Sequence, residues 1–99
     1  MPRIEKKIRK ESLLAAAMRV ATRVGYTTMT RTQIAAEAGV SDALVSVHWG
    51  SMEAIRKAVM RHAVTTGDTA IVAQGLAVRD RIAVRAHPDL KKAVAASIV

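Results

Sequence analysis

The chain has 99 residues, enough for one domain with a small core, because short chains bury a smaller fraction of their surface than long ones. Sixteen Lys and Arg against eight Asp and Glu leave a formal charge of +8, a field that favours polyanions, nucleic acid first and an anionic membrane surface second. An apolar share of 51% excludes simple disorder, the lack of cysteine excludes a disulfide framework, a thiol nucleophile or a Cys-type zinc site, and uncharged runs of at most ten residues exclude a bilayer span, which needs about 18 or more.

Tyr26 and Trp49 are the only aromatics, so packing falls to Ala, Val, Ile, Leu and Met. Pro2 suits the first turn of a helix in which Ile4, Ile8, Leu14, Met18 and Ala21 share a face and Gly25 is the left-handed C-cap. Thr30 N-caps a short helix with Ile34, Ala35 and Ala38, which Gly39 stops. Ser41 caps a third segment, Asp42 to His48, with Asp42 at the positive end of the helix dipole.

Ser51 caps a fourth helix, with Glu53 in its first turn, Ile55, Ala58, Val59 and His62 on one side and Arg56, Lys57 and Arg61 on the other. That placement makes His62 a partly buried packing residue. Asp68 caps a helix from Thr69 to about Val78. Residues Arg79 to Arg85 alternate in a way that suits a strand, but an isolated strand has no partner, which favours a helix or an irregular link. Pro88 and Asp89 open a last helix carrying Leu90, Val94 and Ile98. The expectation is an all-α protein of five or six helices.

A short helix, a tight turn on a glycine and a second short helix capped by serine form a DNA-binding helix-turn-helix pattern, here Thr32 to Val45. Ala35 and Ala36 are small enough for close helix crossing, Gly39 supplies positive φ, and Val40 and Leu44 are expected in the core. The outer face of the second helix then carries short side chains, Asp42, Ala43, Ser46 and Val47, which can reach thymine methyls or base edges in a major groove.

This pattern continues as Val45-Ser46-Val47-His48-Trp49-Gly50-Ser51-Met52-Glu53-Ala54-Ile55 and follows Gly25-Tyr26-Thr27-Thr28-Met29-Thr30. Over about residues 9 to 63 it resembles the N-terminal domain of TetR-family repressors. The resemblance implies an N-terminal three-helix DNA-binding region with a fourth helix, over 1–63. It implies base-facing positions at Asp42, Ala43, Ser46 and Val47, and phosphate contacts from Thr30, Arg31, Thr32, Ser41 and His48. Trp49 stands where the family usually has a Phe that locks the third helix against the fourth.

Three departures stand out. Asp42 replaces a residue that is often Lys or another polar one, and a carboxylate near phosphates is unfavourable unless it caps the helix or accepts from a cytosine amino group. Ser46 replaces a common Tyr. Only 36 residues, Val64 to Val99, stand where the family has a larger ligand-binding and dimerising bundle. Two or three short helices have little interior, so no small-molecule inducer is expected. Their apolar residues, Ile71, Val72, Leu76, Ile82, Val84, Leu90, Val94 and Ile98, either cap the monomer core or form a homodimer interface over 64–99. The dimer is favoured, since two-fold pairing doubles the half-sites read.

Residues 1 to 63 hold eleven basic and five acidic residues, and 64 to 99 hold five and three, so the DNA-like part carries most of the field. Arg3, Lys6, Lys7, Arg9 and Lys10 crowd the first ten residues, and Lys6 and Lys7 are assigned phosphate contacts. His48, His62 and His87 are scattered without metal-ligand spacing, and no phosphate loop, nucleophile elbow or carboxylate pair is visible. No catalytic residue, metal site or cofactor is expected. The resulting expectation is a cytoplasmic, homodimeric transcriptional repressor on palindromic double-stranded DNA operators, without a membrane partner, regulated by its own concentration in the manner of a plasmid or phage circuit. The alternatives are a basic membrane-surface protein and a protein-interaction module that keeps the fold.

Overall fold

The structure, a computed structural model, describes the backbone of residues 2–98 and the side chains of residues 9–97. These form seven helices and no strand: α1 (Pro2–Val24), α2 (Arg31–Ala38), α3 (Asp42–Trp49), α4 (Met52–Thr66), α5 (Thr69–Ala77), α6 (Arg81–Val84) and α7 (Pro88–Ile98). The all-α expectation holds, with more helices than five or six. The side chains of Ile4, Ile8 and Ile98 lie outside the described residues, as do those of Lys6 and Lys7.

In α1 the buried stripe is Leu13, Ala16, Ala17, Val20 and Ala21, a helical repeat in which the alanines let neighbours approach. Leu14 and Met18 flank it half-buried. The other helices each give this face one to four residues: Ile34 and Ala35 from α2, Val45 from α3, Ile55, Val59, Met60 and Ala63 from α4, Ile71 and Val72 from α5, Ala83 from α6 and Val94 from α7. With Tyr26 and Met29 from the α1–α2 connection they make one continuous cluster.

Two expected inward residues are corrected. Val45, fully buried, is the α3 residue in the core, whereas Leu44 is half-buried at the rim; the inward pair on this short helix is 45 and 49, one turn apart, with Trp49 packed partly against the cluster. His62 is exposed. The buried stripe of α4 advances through Ile55, Val59 and Ala63, in steps of four, which leaves position 62 on the solvent side.

The segment 79–87 accounts for the additional helix. Arg79 turns the chain with φ 58, and Asp80 then caps α6, its Oδ1 accepting from the N–H groups of Ile82 at 2.8 Å and Ala83 at 3.4 Å. Lys91 Nζ donates to the Val84 carbonyl at 3.0 Å and closes the other end. Gly75 makes this arrangement sterically possible. A Cβ there would lie 2.7 Å from the Ala83 Cβ and 2.5 Å from the Met60 Cε, so α4, α5 and α6 meet at a backbone with no side chain.

Polar contacts fasten the α1–α2 connection to the C-terminal helices. Gln74 of α5 accepts from the Tyr26 N–H at 2.8 Å and donates to the Ala21 carbonyl at 3.1 Å, and the Tyr26 hydroxyl donates to Asp80 Oδ2 at 3.0 Å. The Tyr26 phenol is pushed up to about 12 by burial first, then by the hydrogen bond and negative charge of Asp80, with Arg56 opposing. The folded state therefore keeps a proton that the unfolded chain releases near its ordinary value of 10.0. This contribution to stability is complete below about pH 10 and is lost as the pH rises through about 12. Denaturation midpoints measured over this range should fall for the wild type and fall less for Tyr26→Phe.

Candidate nucleic-acid interface

α2 begins with a capping box: Thr30 Oγ1 accepts from the Gln33 N–H at 3.1 Å, and Gln33 Oε1 accepts from the Thr30 N–H at 2.9 Å. Thr30 was legible as a cap; the part played by Gln33 was missed, although the Thr-x-x-Gln spacing signals it. At the far end Gly39 takes φ 72, its N–H reaches the Ala36 carbonyl at 3.3 Å, and the Val40 N–H reaches the Ala35 carbonyl at 3.0 Å. Ser41 is extended, and its Oγ accepts from the Leu44 N–H at 3.2 Å to start α3. Three residues, Gly39 to Ser41, thus connect two eight-residue helices.

Glu37 fixes this pair to α1. Its two carboxylate oxygens accept from Arg19 Nε at 2.9 Å and Arg23 Nη1 at 3.1 Å, and these two hydrogen bonds hold its carboxyl below the ordinary range. Exposed ion pairs add little stability, so their effect here is to set orientation.

The face of α3 away from the core carries Asp42, Ala43 and Val47, all exposed, and Val47 is 83% exposed. Ser46 and His48 are half-buried beside them. Thr30, Thr32 and Ser41 are exposed, and Arg31 is half-buried with its Nε lacking a hydrogen-bond partner among the described residues. Thr32 Oγ1 donates to Asp42 Oδ2 at 2.6 Å, which brings the N-termini of α2 and α3 together on one side. At each N-terminus the first backbone N–H groups, those of Arg31 and Thr32 and those of Asp42 and Ala43, are left over from the helical ladder and favour anions.

His48 stacks edge-on against Trp49 with ring centroids 4.8 Å apart. Burial first, and then the charge of Lys10, hold its imidazole below the ordinary value, so a contact from His48 at neutral pH is a neutral N–H contact. The charge of Lys10, a member of the basic cluster at the start of α1, is thus felt at the end of α3.

Two short capped helices in this orientation, with a small-residue outer face, carry the sequence Thr32 to Val45 that first suggested the motif. Residues 13–59, from α1 into α4, match the family model for bacterial regulatory proteins of the tetR family. These residues are a TetR-family helix-turn-helix domain. No curated protein and no solved structure matches the chain. The TetR-family domain belongs to a class of DNA-binding transcription regulators, and its α2 and α3 are the helix-turn-helix. No helix among the described residues is long and apolar enough to cross a membrane.

Proposed function

We propose that the protein is a sequence-specific transcriptional repressor that binds a palindromic operator as a homodimer, with α3 of each protomer in a major groove. The exposed Ala43–Val47 face of α3, beside two capped helix N-termini in a chain of charge +8, carries this reading. Ala43 and Val47 suit thymine methyls, and Asp42 and Ser46 suit base edges. Thr30, Arg31, Thr32, Ser41 and His48 take the phosphates on either side, Thr32 through its backbone N–H because its hydroxyl donates to Asp42, joined by Lys6 and Lys7 from α1. Occupation of an operator upstream of its own coding region would exclude polymerase and make the circuit self-limiting.

Support for the dimer comes from the C-terminal helices. Ile71, Val72 and Val94 are consumed by the chain's own core, as the capping alternative anticipates. An apolar groove of about 350 Å³ nevertheless remains between α5 and α7, lined by Ala73, Leu76, Ala77, Val94 and Ala95 with Lys91 at its edge. Val78, which caps the end of α5, and Val84, the last residue of α6, are exposed at 55% and 45%. A second copy covers such a surface and presents two half-sites together.

Footprinting on the DNA upstream of the coding region tests the reading, with sedimentation equilibrium for the assembly. The expected outcome is a protected palindrome, a dimer, and an affinity that falls steeply with salt, with a log–log slope of about −0.9 for each phosphate neutralised. A slope near zero, or binding to anionic vesicles without preference among DNA sequences, overturns it.

A further inference from the structure

Asp42 is the only acidic residue of α3, and it is exposed at the first helical position. Among the described residues no Lys, Arg or His forms an ion pair with it; the acidic partners of such pairs are Glu37, Glu53 and Asp89. Its partner is a neutral hydroxyl, Thr32 Oγ1, at 2.6 Å from Oδ2. Thr32 sits on α2, ten residues earlier, so the bond crosses the helix-turn-helix and holds the carboxylate against both helices.

A carboxylate in this place is repelled by the phosphates on both sides of a major groove. The α3 dipole and the Thr32 hydroxyl stabilise the carboxylate within the protein, and on DNA the contact that further offsets the repulsion is a donor on a base edge. The major groove offers two such donors, the N4 amino group of cytosine and the N6 amino group of adenine. Adenine sets its N7 acceptor beside the amino group, where it opposes the carboxylate lone pairs. Guanine presents N7 and O6, both acceptors, and thymine presents O4, another acceptor. Cytosine alone gives a donor without an adjacent acceptor on the same edge.

The Thr32 hydroxyl donates its hydrogen bond to Oδ2, which leaves Oδ1 to accept from the base and removes rotational freedom from the side chain. The geometry points to Asp42, held by Thr32, as a specificity-determining residue that demands a cytosine in each half-site; this rests on the DNA-binding reading above. Thr32 acts through Asp42 and is a positioning residue.

The test is selection from a randomised duplex library by the full-length wild type, Asp42→Ala and Thr32→Val, followed by affinities for single duplexes. The wild type should enrich a motif with one fixed cytosine per half-site. Exchange of that C·G pair for T·A should weaken wild-type binding roughly tenfold or more. Asp42→Ala should lose the preference at that position and keep the others, and Thr32→Val should weaken the preference at that same position alone, which a general loss of stability would not do. A motif that Asp42→Ala leaves unchanged overturns the assignment and spares the regulator reading. A library with no enrichment by the wild type overturns both. Should Asp42→Ala fail to fold, the wild type decides alone: a motif without a fixed cytosine, or a C·G to T·A exchange that leaves affinity unchanged, overturns the assignment.

Discussion

Val47→Glu is expected to abolish specific DNA binding while leaving the fold intact. Val47 is 83% exposed, so the substitution removes almost no buried apolar surface, and glutamate is the better helix former. Surface changes of this kind stay within about 0.5 kcal/mol of stability. At the interface the balance differs. A contact to a base edge or methyl is worth about 1–3 kcal/mol, and the introduced carboxylate also faces phosphates. A combined loss of about 3 kcal/mol per half-site corresponds to more than a hundredfold in affinity. Fluorescence anisotropy with an operator duplex, set against a urea melt of the same sample, checks both halves. Retained binding would remove α3 from the groove, and a large loss of stability would mean that Val47 is part of the core.

The opposite signature is expected of Asp80→Ala, which strikes the fold. Asp80 caps α6 through one oxygen and accepts from the buried Tyr26 hydroxyl through the other. Loss of a cap costs about 1 kcal/mol, and a hydrogen bond to a charged group contributes about 1.5–3 kcal/mol. Tyr26 is 3% exposed, so water does not readily replace the lost acceptor. The sum, about 2–4 kcal/mol, is a large share of the roughly 5–10 kcal/mol that holds a domain of this size. In a Tyr26→Phe background the same substitution should cost only about the cap, because its hydroxyl partner is already gone. Equal losses in the two backgrounds would deny any coupling between Tyr26 and Asp80.

Much of this fold is legible in the sequence because helix ends are written in local chemistry. Thr30, Ser41, Ser51 and Asp68 each act within three residues of their own position, and all four are caps in the structure. Which side of a short helix turns inward is decided by its neighbours. Over eight residues the apolar pattern of α3 fits Leu44 as well as Val45, and only packing against the other helices selects Val45. His62 fails for the same reason: one step along α4 separates an inward position from a solvent one. The exposed outer face of α3 was legible, since small and polar residues leave little else for it to do. The Thr32–Asp42 bond was not, because it depends on how two helices cross.

Gln74 adds a consequence for what can be separated from what. It lies outside the matched residues 13–59, yet its side chain completes the end of α1 and holds the amide of Tyr26, 48 positions earlier in the chain. Exchange of that amide with solvent then requires its bond to the Gln74 side chain to break, so protection at Tyr26 reports on a contact far from it in sequence. Residues 13–59 taken alone lack this partner, so the α1–α2 connection loses both hydrogen bonds of Gln74 when the matched stretch is cut out.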